Sequence, residues 1–250
     1  AEYFAEPRSI EEFSYLLEWA NLNKQRCQII GAGSNLLINN IFVKGLVVCT
    51  KKMKSLMIEP YSGIVEAEAG VMLPTLSNSL AKNGLQGGEW AVGIPGTLGG
   101  AIYMNAGTSN LSLEKNLISV KVINNKTNQT LEIKKEDINF DYRYSSFQTN
   151  DLTIISARLH FKPNGNLEQL IETTKKNLNL KIETQPYHQP SFGSVFKNPE
   201  NNYAAKLIDD MGLKGFKIGG AEISTMHSNF IINTSSASSK DIYKLITVIQ

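Results

Sequence analysis

Apolar and polar positions near the start of the chain follow a helical spacing. Ser9 and Glu12 fit a capping box, in which two side chains satisfy the free amides of a helix N-terminus, and apolar residues then recur along one face. The pattern predicts a helix over about 9–21. Cys27–Ile30 and Leu46–Cys49 follow as short apolar runs beside glycine, which is typical of buried strands. The chain therefore opens as helix, strand, glycine-rich turn and strand.

From about residue 55 the pattern becomes strand-like, with one helix inserted. Pro74 favours a helix start because proline suits the first helical turn, so a helix is predicted over 74–82. The polar residues 124–128 indicate a hairpin turn between two strands. The predicted strands cover 55–59, 63–69, 118–124, 130–134 and 152–161.

The turn-forming residues 163–166 separate the last of these strands from a helical pattern that begins at Leu167, and they predict a linker. Beyond it the pattern predicts short strands around 194–196 and 230–232 and helices near 203–211 and 238–250. This arrangement predicts an α+β chain of two domains. The expected bounds are 1–163, with subdomains of about 1–52 and 53–163, and 164–250.

Composition narrows the class of protein. The 250 residues are 42% hydrophobic and 19% charged, and the 25 basic residues are scattered along a chain of net charge +2. A nucleic-acid partner is not expected, because such a partner calls for a concentrated basic surface. Neither a secretion signal nor an apolar run long enough to span a bilayer is visible, so a cytoplasmic protein without membrane contact is expected.

The two cysteines, Cys27 and Cys49, lie in apolar runs and show none of the spacings of a zinc site. We expect free, buried thiols and no metal. The chain starts at Ala1 rather than at methionine, and it stops at Gln250 within an apolar pattern that has no helix stop signal. We therefore expect both ends to be cut short.

The first candidate site is the glycine turn 31–37, which follows the strand ending at Ile30. Glycines let the backbone approach an anion closely, and successive N–H groups of such a turn can cradle a phosphate. Leu36 stands where a dinucleotide-binding Rossmann motif has its third glycine, and no helical pattern follows, so that motif is excluded. A tight structural turn explains the same residues.

The second candidate site, 93–107, holds five glycines in fifteen residues but also many apolar residues, unlike a flexible linker. We predict an ordered loop packed against something flat or anionic. Because fixing glycines costs conformational entropy, two such segments in one domain favour a bound ligand over two structural turns.

Two polar side chains elsewhere could carry chemistry. Arg143 lies among aromatic residues in 140–147, where a planar, always charged group suits an anionic oxygen, although stacking on a surface tyrosine explains it equally. Ser194 lies beside a glycine in 189–199. A serine hydroxyl donates a proton only to a strongly basic partner near positive charge, and a structural serine is the commoner case. A third stretch, 214–230, has the composition of a turn that leads into a strand.

Together these motifs resemble one family of flavoproteins. GAGSNLL at 31–37 and GIPGTLGGAIYMNAG at 93–107 are similar to the FAD-binding domain of the UDP-N-acetylenolpyruvoylglucosamine reductase family, within the p-cresol methylhydroxylase-type (PCMH/VAO-type) flavin fold. The resemblance implies a FAD-binding domain of two α/β subdomains and a smaller α+β substrate-binding domain. It implies FAD contacts from Gly31, Ala32, Gly33, Ser34, Asn35, Leu36, Gly93, Gly96, Thr97, Gly99, Gly100, Ala101, Asn105, Ala106 and Gly107.

The activity implied by this resemblance is the NADPH-dependent reduction of an enolpyruvyl UDP-sugar through FAD, in peptidoglycan precursor synthesis. The first 155 residues contain no histidine, and both cysteines lie in predicted strands, so we expect FAD to be held non-covalently. NADPH is expected as a co-substrate, the UDP-sugar as the partner, and the protein as a monomer.

The remaining motifs supply substrate residues by the same resemblance. Similarity of 142–147 to Y-R-x-S-x-F implies that Arg143 stabilises the enolate, with Tyr142 beside the substrate. Similarity of 193–199 to G-S-x-F-K-N-P implies that Ser194 donates the proton. The same element implies diphosphate contacts from Lys197 and Asn198, and similarity of 214–230 to KG…GGA…S…H.NF implies substrate contacts from His227 and Asn229.

The sequence also departs from the family's pattern. The catalytic glutamate of the family is expected beyond Gln250, because no residue after Asp241 is acidic. The short stretch from Arg143 to Gly193 is similar to the family branch that lacks a tyrosine-bearing substrate loop. Two rival hypotheses stay open: a flavin oxidase of the same fold acting on a small alcohol or sugar, and a non-catalytic nucleotide-binding relative, which the missing acidic residue favours.

Overall fold

The computed structural model describes residues 1–38, 42–108 and 111–250. Two compact units make up the chain: a first unit of Ala1–Gly33 and Phe42–Asn177, and a second unit of Ser34–Ile41 and Leu178–Gln250. The division falls within one long helix rather than at the turn-forming residues 163–166. The domain bounds expected from sequence therefore stay a prediction.

The described residues of the first unit form four α-helices, of which the last continues into the second unit. They are α1 (Ile10–Leu22), α2 (Leu73–Lys82), α3 (Leu98–Tyr103) and α4 (Leu167–Thr184). Its described strands are β1 (Tyr3–Ala5), β2 (Cys27–Ile30), β3 (Leu46–Cys49), β4 (Leu56–Glu59), β5 (Ile64–Glu68), β6 (Gly107–Thr108), β7 (Leu111–Ser112), β8 (Leu117–Asn124), β9 (Thr130–Lys134), β10 (Phe140–Asp141), β11 (Tyr144–Ser145) and β12 (Leu152–His160).

A five-stranded antiparallel sheet in the order β4-β5-β12-β8-β9 separates two apolar cores of the first unit. Successive residues of a strand point to opposite faces, so Val122 and Ile154 join one core while Ile123 and Ile155 join the other. α2 and α3 cover the first face, and α1 with the parallel sheet β1-β3-β2 covers the second. Burial on both faces explains the nearly continuous apolar runs of β8 and β12.

The predicted first helix is confirmed as α1, but its capping box is only partial. Ser9 Oγ accepts the Glu12 amide at 3.2 Å, whereas the Glu12 carboxylate accepts the Arg8 amide at 2.7 Å instead of the Ser9 amide. The first bond satisfies a backbone donor that the helix start leaves open, and the second ties the residue before the N-cap to the first turn. The helix then buries Phe13 and Leu17 in the second core.

The second unit is a four-stranded antiparallel sheet, packed with helices around a small core at Ile208, Ile231 and Leu245. The complete capping box of its last helix joins Ser238 Oγ to the Asp241 amide at 3.1 Å and Asp241 Oδ2 to the Ser238 amide at 3.0 Å. The bond from the Ser238 amide is the largest cause that holds the pKa of Asp241 below its ordinary value. The elements are β13 (Ser191–Ser194), α5 (Ala204–Asp210), β14 (Lys217–Ile218), β15 (Ala221–Ile223), β16 (Phe230–Asn233) and α6 (Ser239–Ile249), with strand order β13-β16-β15-β14.

Most predicted strands are confirmed. Those at 27–30, 46–49 and 130–134 agree residue for residue with the structure. The strand predicted around 194–196 is present but lies earlier, at Ser191–Ser194, and the next two residues bond to Asn229 beyond its end. Among the described helices, none combines the length and the apolar character that crossing a bilayer requires.

Candidate functional site

The two glycine-rich segments touch in the first unit, at Gly31 and Thr97. A Cβ on Gly31 would lie 2.3 Å from Thr97 Oγ1, so a larger residue would force the segments apart. The Cys49 thiol donates to the Gly31 carbonyl at 3.3 Å and fixes this end of the turn. Gly33 adopts a φ of +73°, which favours glycine. The first turn therefore depends on glycine at both positions.

The second segment contains α3, which its glycines hide from sequence analysis. Thr97 caps this helix, since its Oγ1 accepts the Gly100 amide at 3.4 Å. Gly99 packs closely: its amide donates to the Ala69 carbonyl at 2.9 Å, and an added Cβ would lie 2.9 Å from Ala69 Cβ. Gly100 is exposed, and a Cβ there would meet only Thr97 Oγ1, at an ordinary 3.5 Å. Packing explains the glycine at 99 but not the one at 100.

Other residues of the second segment that were expected to contact FAD are buried or make close contacts within the protein. Gly96 has a φ of +147°, and its carbonyl accepts the Leu73 amide at 3.0 Å. A Cβ on Gly107 would lie 2.2 Å from the Leu111 carbonyl oxygen. Gly93 and Ala101 are buried, and Ala106 is half-buried. The prediction of FAD contacts at these positions stays a prediction.

Asn105 lies near the end of this segment in a left-handed conformation, with a φ of +42°, and is only 5% exposed. Its Nδ2 donates to Glu114 Oε2 at 2.8 Å and to the Asp141 carbonyl at 3.1 Å. Its Oδ1 is buried and has no hydrogen-bond partner among the described residues. A buried acceptor without a donor is costly, so this atom indicates a site where a donor from outside the chain is expected.

Arg143 is anchored to the end of the same segment. Its Nη2 donates to the Gly107 carbonyl at 2.8 Å and its Nη1 to the Asn105 carbonyl at 3.5 Å, while the guanidinium stacks over the Tyr142 ring at 5.0 Å. Its φ of +55° is a left-handed conformation that costs energy outside glycine. In the described part of the chain the guanidinium forms no ion pair. The stacked tyrosine that sequence analysis left as an alternative is therefore present together with two backbone anchors.

Two side chains that hold these residues were missed by sequence analysis. Gln148 Nε2 donates to the Arg143 carbonyl at 3.3 Å and to the Tyr103 carbonyl at 2.9 Å, so it ties Arg143 to the end of α3. Glu114 fixes the Asn105 side chain. Neither stands in a recognisable motif, and Gln148 directly after the Y-R-x-S-x-F stretch is the only signal that could have been used.

The rest of the first glycine turn is divided between the units. Gly31, Ala32 and Gly33 belong to the first unit, whereas Ser34, Asn35 and Leu36 are part of the second. The side chains of Asn35 and Leu36 are exposed.

In the second unit, Ser194 is the last residue of β13 and is exposed. It pairs with Phe230 of β16, and the register between these strands shifts between Ser191 and Ser194. The preceding Gly193 has a φ of +83° and open space around the position of a Cβ. The hydroxyl therefore stands at a turn of the backbone, accessible from solvent.

Asn229 is 4% exposed, and its amide pairs with the backbone of Phe196. Oδ1 accepts the Phe196 amide at 2.9 Å, and Nδ2 donates to the Phe196 carbonyl at 2.9 Å. A buried amide whose two ends are both bonded is poorly placed to contact a substrate. The substrate contact expected at Asn229 stays a prediction.

His227 is half-buried beside this pair. Its Nδ1 accepts the Asn229 backbone amide at 3.3 Å, and its ring packs edge-on against Phe230 with centroids 4.8 Å apart. Burial lowers the pKa of His227, and the positive charges of Lys181 and Lys214 lower it further. The imidazole is therefore neutral near pH 7, with its proton on Nε2.

The remaining predicted substrate residues are on the surface. Lys197 and Asn198 are exposed, and Asn198 Oδ1 accepts the Ala204 amide at 3.1 Å, so it satisfies a free amide at the start of α5. Gly219 packs against α6, where a Cβ would lie 2.5 Å from the Asp241 carboxyl carbon. Close packing therefore explains the glycine at 219. Among the described residues, no three His, Cys, Asp or Glu side chains are grouped as metal ligands.

Comparison with known proteins identifies the families that both parts of the chain resemble. Residues 1–133 match the family described as FAD binding domain, and residues 185–250 match UDP-N-acetylenolpyruvoylglucosamine reductase, C-terminal domain. The UDP-N-acetylenolpyruvoylglucosamine reductase of Prochlorococcus marinus subsp. pastoris (strain MED4) is 70% identical over 250 residues, which are 100% of this chain and 84% of that protein. The reductase of the same name from Prochlorococcus marinus (strain NATL2A) is 48% identical, over 100% of this chain and 85% of that protein.

Solved structures show the same relationship. The crystal structure of UDP-N-acetylenolpyruvylglucosamine reductase from Thermus caldophilus superposes with a TM-score of 0.82 at 30% identity, over 98% of this chain and 86% of that one. A glucose oxidase variant of Phl p 4 reaches a TM-score of 0.50 at 14% identity over 64% of this chain and 34% of its own, which shows a shared fold alone. The predicted α+β fold with a FAD-binding domain is confirmed, and the oxidase alternative is not favoured. The chain belongs to the UDP-N-acetylenolpyruvoylglucosamine reductase family, whose members are FAD-dependent oxidoreductases.

Proposed function

We propose that this chain reduces the enol ether of an enolpyruvyl UDP-sugar to UDP-N-acetylmuramate, with FAD as the bound cofactor and NADPH as the reductant, in peptidoglycan precursor synthesis. One observation carries the proposal: α3 joins the glycine turn to the arginine. Gly31 touches Thr97 at the start of the helix, and Arg143 is anchored to Asn105 and Gly107 after its end. A turn suited to phosphate and a charge suited to a carboxylate are therefore held by one rigid element.

The residues around α3 fit FAD. The glycine turn at Gly31 and Gly33 offers backbone N–H groups to the pyrophosphate, as such turns do for anions. Gly100 leaves an exposed face without a side chain, and the buried Oδ1 of Asn105 would accept an N–H of the cofactor. When bound, FAD supplies the two-electron reduction of the enolpyruvyl group.

Arg143 is assigned to the substrate carboxylate. Its bonds to the Asn105 and Gly107 carbonyls use two of the five N–H groups of a guanidinium, and the others present a charged edge to an anionic oxygen. Because the anchors fix this edge before substrate binds, little reorganisation is needed when negative charge develops beside the reduced carbon. Tyr142, stacked on the guanidinium, stays assigned to the substrate.

Ser194 is assigned as the proton donor. Its hydroxyl is exposed at the turn after Gly193, and a carbon that carries developing negative charge is basic enough to take a proton from serine. We assign Lys197 to the diphosphate. Asn198 stays assigned to the diphosphate as well, and its Oδ1 also accepts the Ala204 amide at the start of α5. His227 can donate through Nε2 as a neutral imidazole.

The Ser194 assignment is tested with Ser194→Ala in the full-length protein under anaerobic conditions. NADPH should reduce the flavin of this variant at the wild-type rate, but the enolpyruvyl UDP-sugar should reoxidise it about 100-fold more slowly, since only the proton transfer is lost. Ser191→Ala is the matched control, because Ser191 is an exposed serine at the other end of β13. Equal reoxidation rates for Ser194→Ala and the wild type would overturn the assignment.

We also place the reaction in the cytoplasm and expect a monomer. Cys27 and Cys49 are free, and burial raises the pKa of Cys27 to about 11, so its thiol is not a reactive thiolate at neutral pH. Unpaired thiols are typical of a reducing compartment. Light scattering checks the monomer.

A further inference from the structure

The pairing of β13 with β16 ends at Ser194. The hydroxyl of this residue needs a fixed position for the proposed proton transfer. β13 pairs with β16 at Ser191 and Ser194 with an irregularity between them, and the backbone turns at Gly193 with a φ of +83°. A residue at the end of a strand and next to a glycine turn has few local constraints. Something beyond the ladder is therefore needed to hold the Ser194 hydroxyl in one place.

Asn229 supplies that constraint with its side chain. Its Oδ1 and Nδ2 close two bonds with the amide and carbonyl of Phe196, each at 2.9 Å, and its own carbonyl accepts the Val195 amide at 2.9 Å. These three bonds continue the pairing over the two residues that follow Ser194. The side chain and carbonyl of Asn229 thus provide the hydrogen bonds that a paired strand would provide to Val195 and Phe196.

Asn229 is itself held from two directions. Its backbone amide donates to His227 Nδ1, and its burial leaves no room for the side chain to turn toward solvent. A buried amide that is bonded at both ends is rigid, because rotating it would leave polar atoms without partners. The two hydrogen bonds from the Asn229 side chain therefore fix the position of the Phe196 backbone.

We propose that Asn229 is a positioning residue for Ser194, which holds Val195 and Phe196 so that the serine hydroxyl keeps one orientation during proton transfer. The inference rests on the proposed role of Ser194 and replaces the substrate contact expected from sequence. It gives the asparagine of the H-x-N-F stretch a role in positioning the Ser194 hydroxyl rather than in binding the substrate.

The test measures anaerobic flavin reoxidation by the enolpyruvyl UDP-sugar in full-length protein. Asn229→Ala should lower the maximal reoxidation rate about 100-fold, the loss expected when a reacting group is misplaced by about 1 Å, while reduction by NADPH and the apparent substrate affinity stay at wild-type values. Asn229→Asp should lower the maximal reoxidation rate by a similar factor, because a carboxylate can accept the Phe196 amide but cannot donate to its carbonyl. Asn233→Ala is the control, since Asn233 Oδ1 accepts the Ala237 amide at 2.9 Å and contacts a different turn.

A double variant separates this inference from the role of Ser194. In a Ser194→Ala background, Asn229→Ala should change the reoxidation rate by less than about twofold, because no hydroxyl is left to position. A full additional loss in that background, or a rise in substrate KM with an unchanged maximal rate, would contradict positioning. If Asn229→Ala fails to fold, Asn229→Asp, which keeps the side-chain volume, decides between these outcomes. If Ser194→Ala alone leaves the reoxidation rate unchanged, the proposed role of Ser194 is contradicted. The contact between Asn229 and Phe196 is not affected by that result.

Discussion

Gly99 and Gly100 are neighbours in α3, yet close packing requires only the first. A methyl group on Gly99 would press on Ala69, whereas one on Gly100 would meet only ordinary contact distances on an exposed face. Helices prefer alanine to glycine, so a glycine without a packing reason in a helix indicates an external one. A cofactor that lies against this face is such a reason.

Gly100→Ala should therefore separate stability from cofactor binding. We expect the melting temperature of the FAD-free protein to stay level or rise, and the FAD dissociation constant to rise about tenfold or more, because an added methyl group holds the cofactor away from the helix. Differential scanning fluorimetry and a flavin titration measure the two quantities. Gly99→Ala is the comparison and should cost about 1–3 kcal/mol of stability through overpacking. Unchanged FAD affinity in Gly100→Ala would contradict the contact.

Elements with two buried faces could be predicted from sequence, whereas very short elements, glycine-rich elements and contacts between distant residues could not. β8 and β12 are apolar on both faces, and their predicted bounds agree with the structure to within one residue. β1 was missed because it has only three residues, and α3 because glycines mask its helical pattern. The tie from Asn229 to Phe196 joins residues 33 positions apart, so no local pattern contains it.

The two-sided burial of the central sheet has an energetic consequence. Ile155 is fully buried between β12 and the core that contains Phe13 and Leu17, so it links the sheet to α1. Ile155→Ala should lower the free energy of unfolding by about 2–5 kcal/mol, the range for an isoleucine removed from a packed core. Met57→Ala, at an exposed position of the edge strand β4, should change it by less than about 0.5 kcal/mol. Chemical denaturation of both variants checks the difference, and similar values would contradict the two-core architecture.

Across the whole molecule, the groups of the proposed reaction are divided between the two units. The first unit carries the contact between Gly31 and Thr97 and the anchored Arg143, and the second carries Ser194 with its Asn229 support. The family resemblance identified both sets of residues from sequence. It did not separate residues that face a ligand from those that hold the backbone, since that depends on hydrogen bonds formed only after folding.

Hydrogen exchange can show which segments of the chain each ligand contacts. Adding FAD to the FAD-free protein should slow exchange in peptides covering 96–107 and 143–148, because a ligand that binds only the folded form suppresses local opening around its site. UDP-N-acetylmuramate should slow exchange in peptides covering 142–148 and 193–198, because Arg143, Ser194 and Lys197 are assigned to it. Thr130–Lys134 forms the edge strand β9, whose exchange should respond to neither ligand. Protection by FAD that appears in 214–223 but not around α3 would remove the basis for assigning the cofactor to the glycine segments.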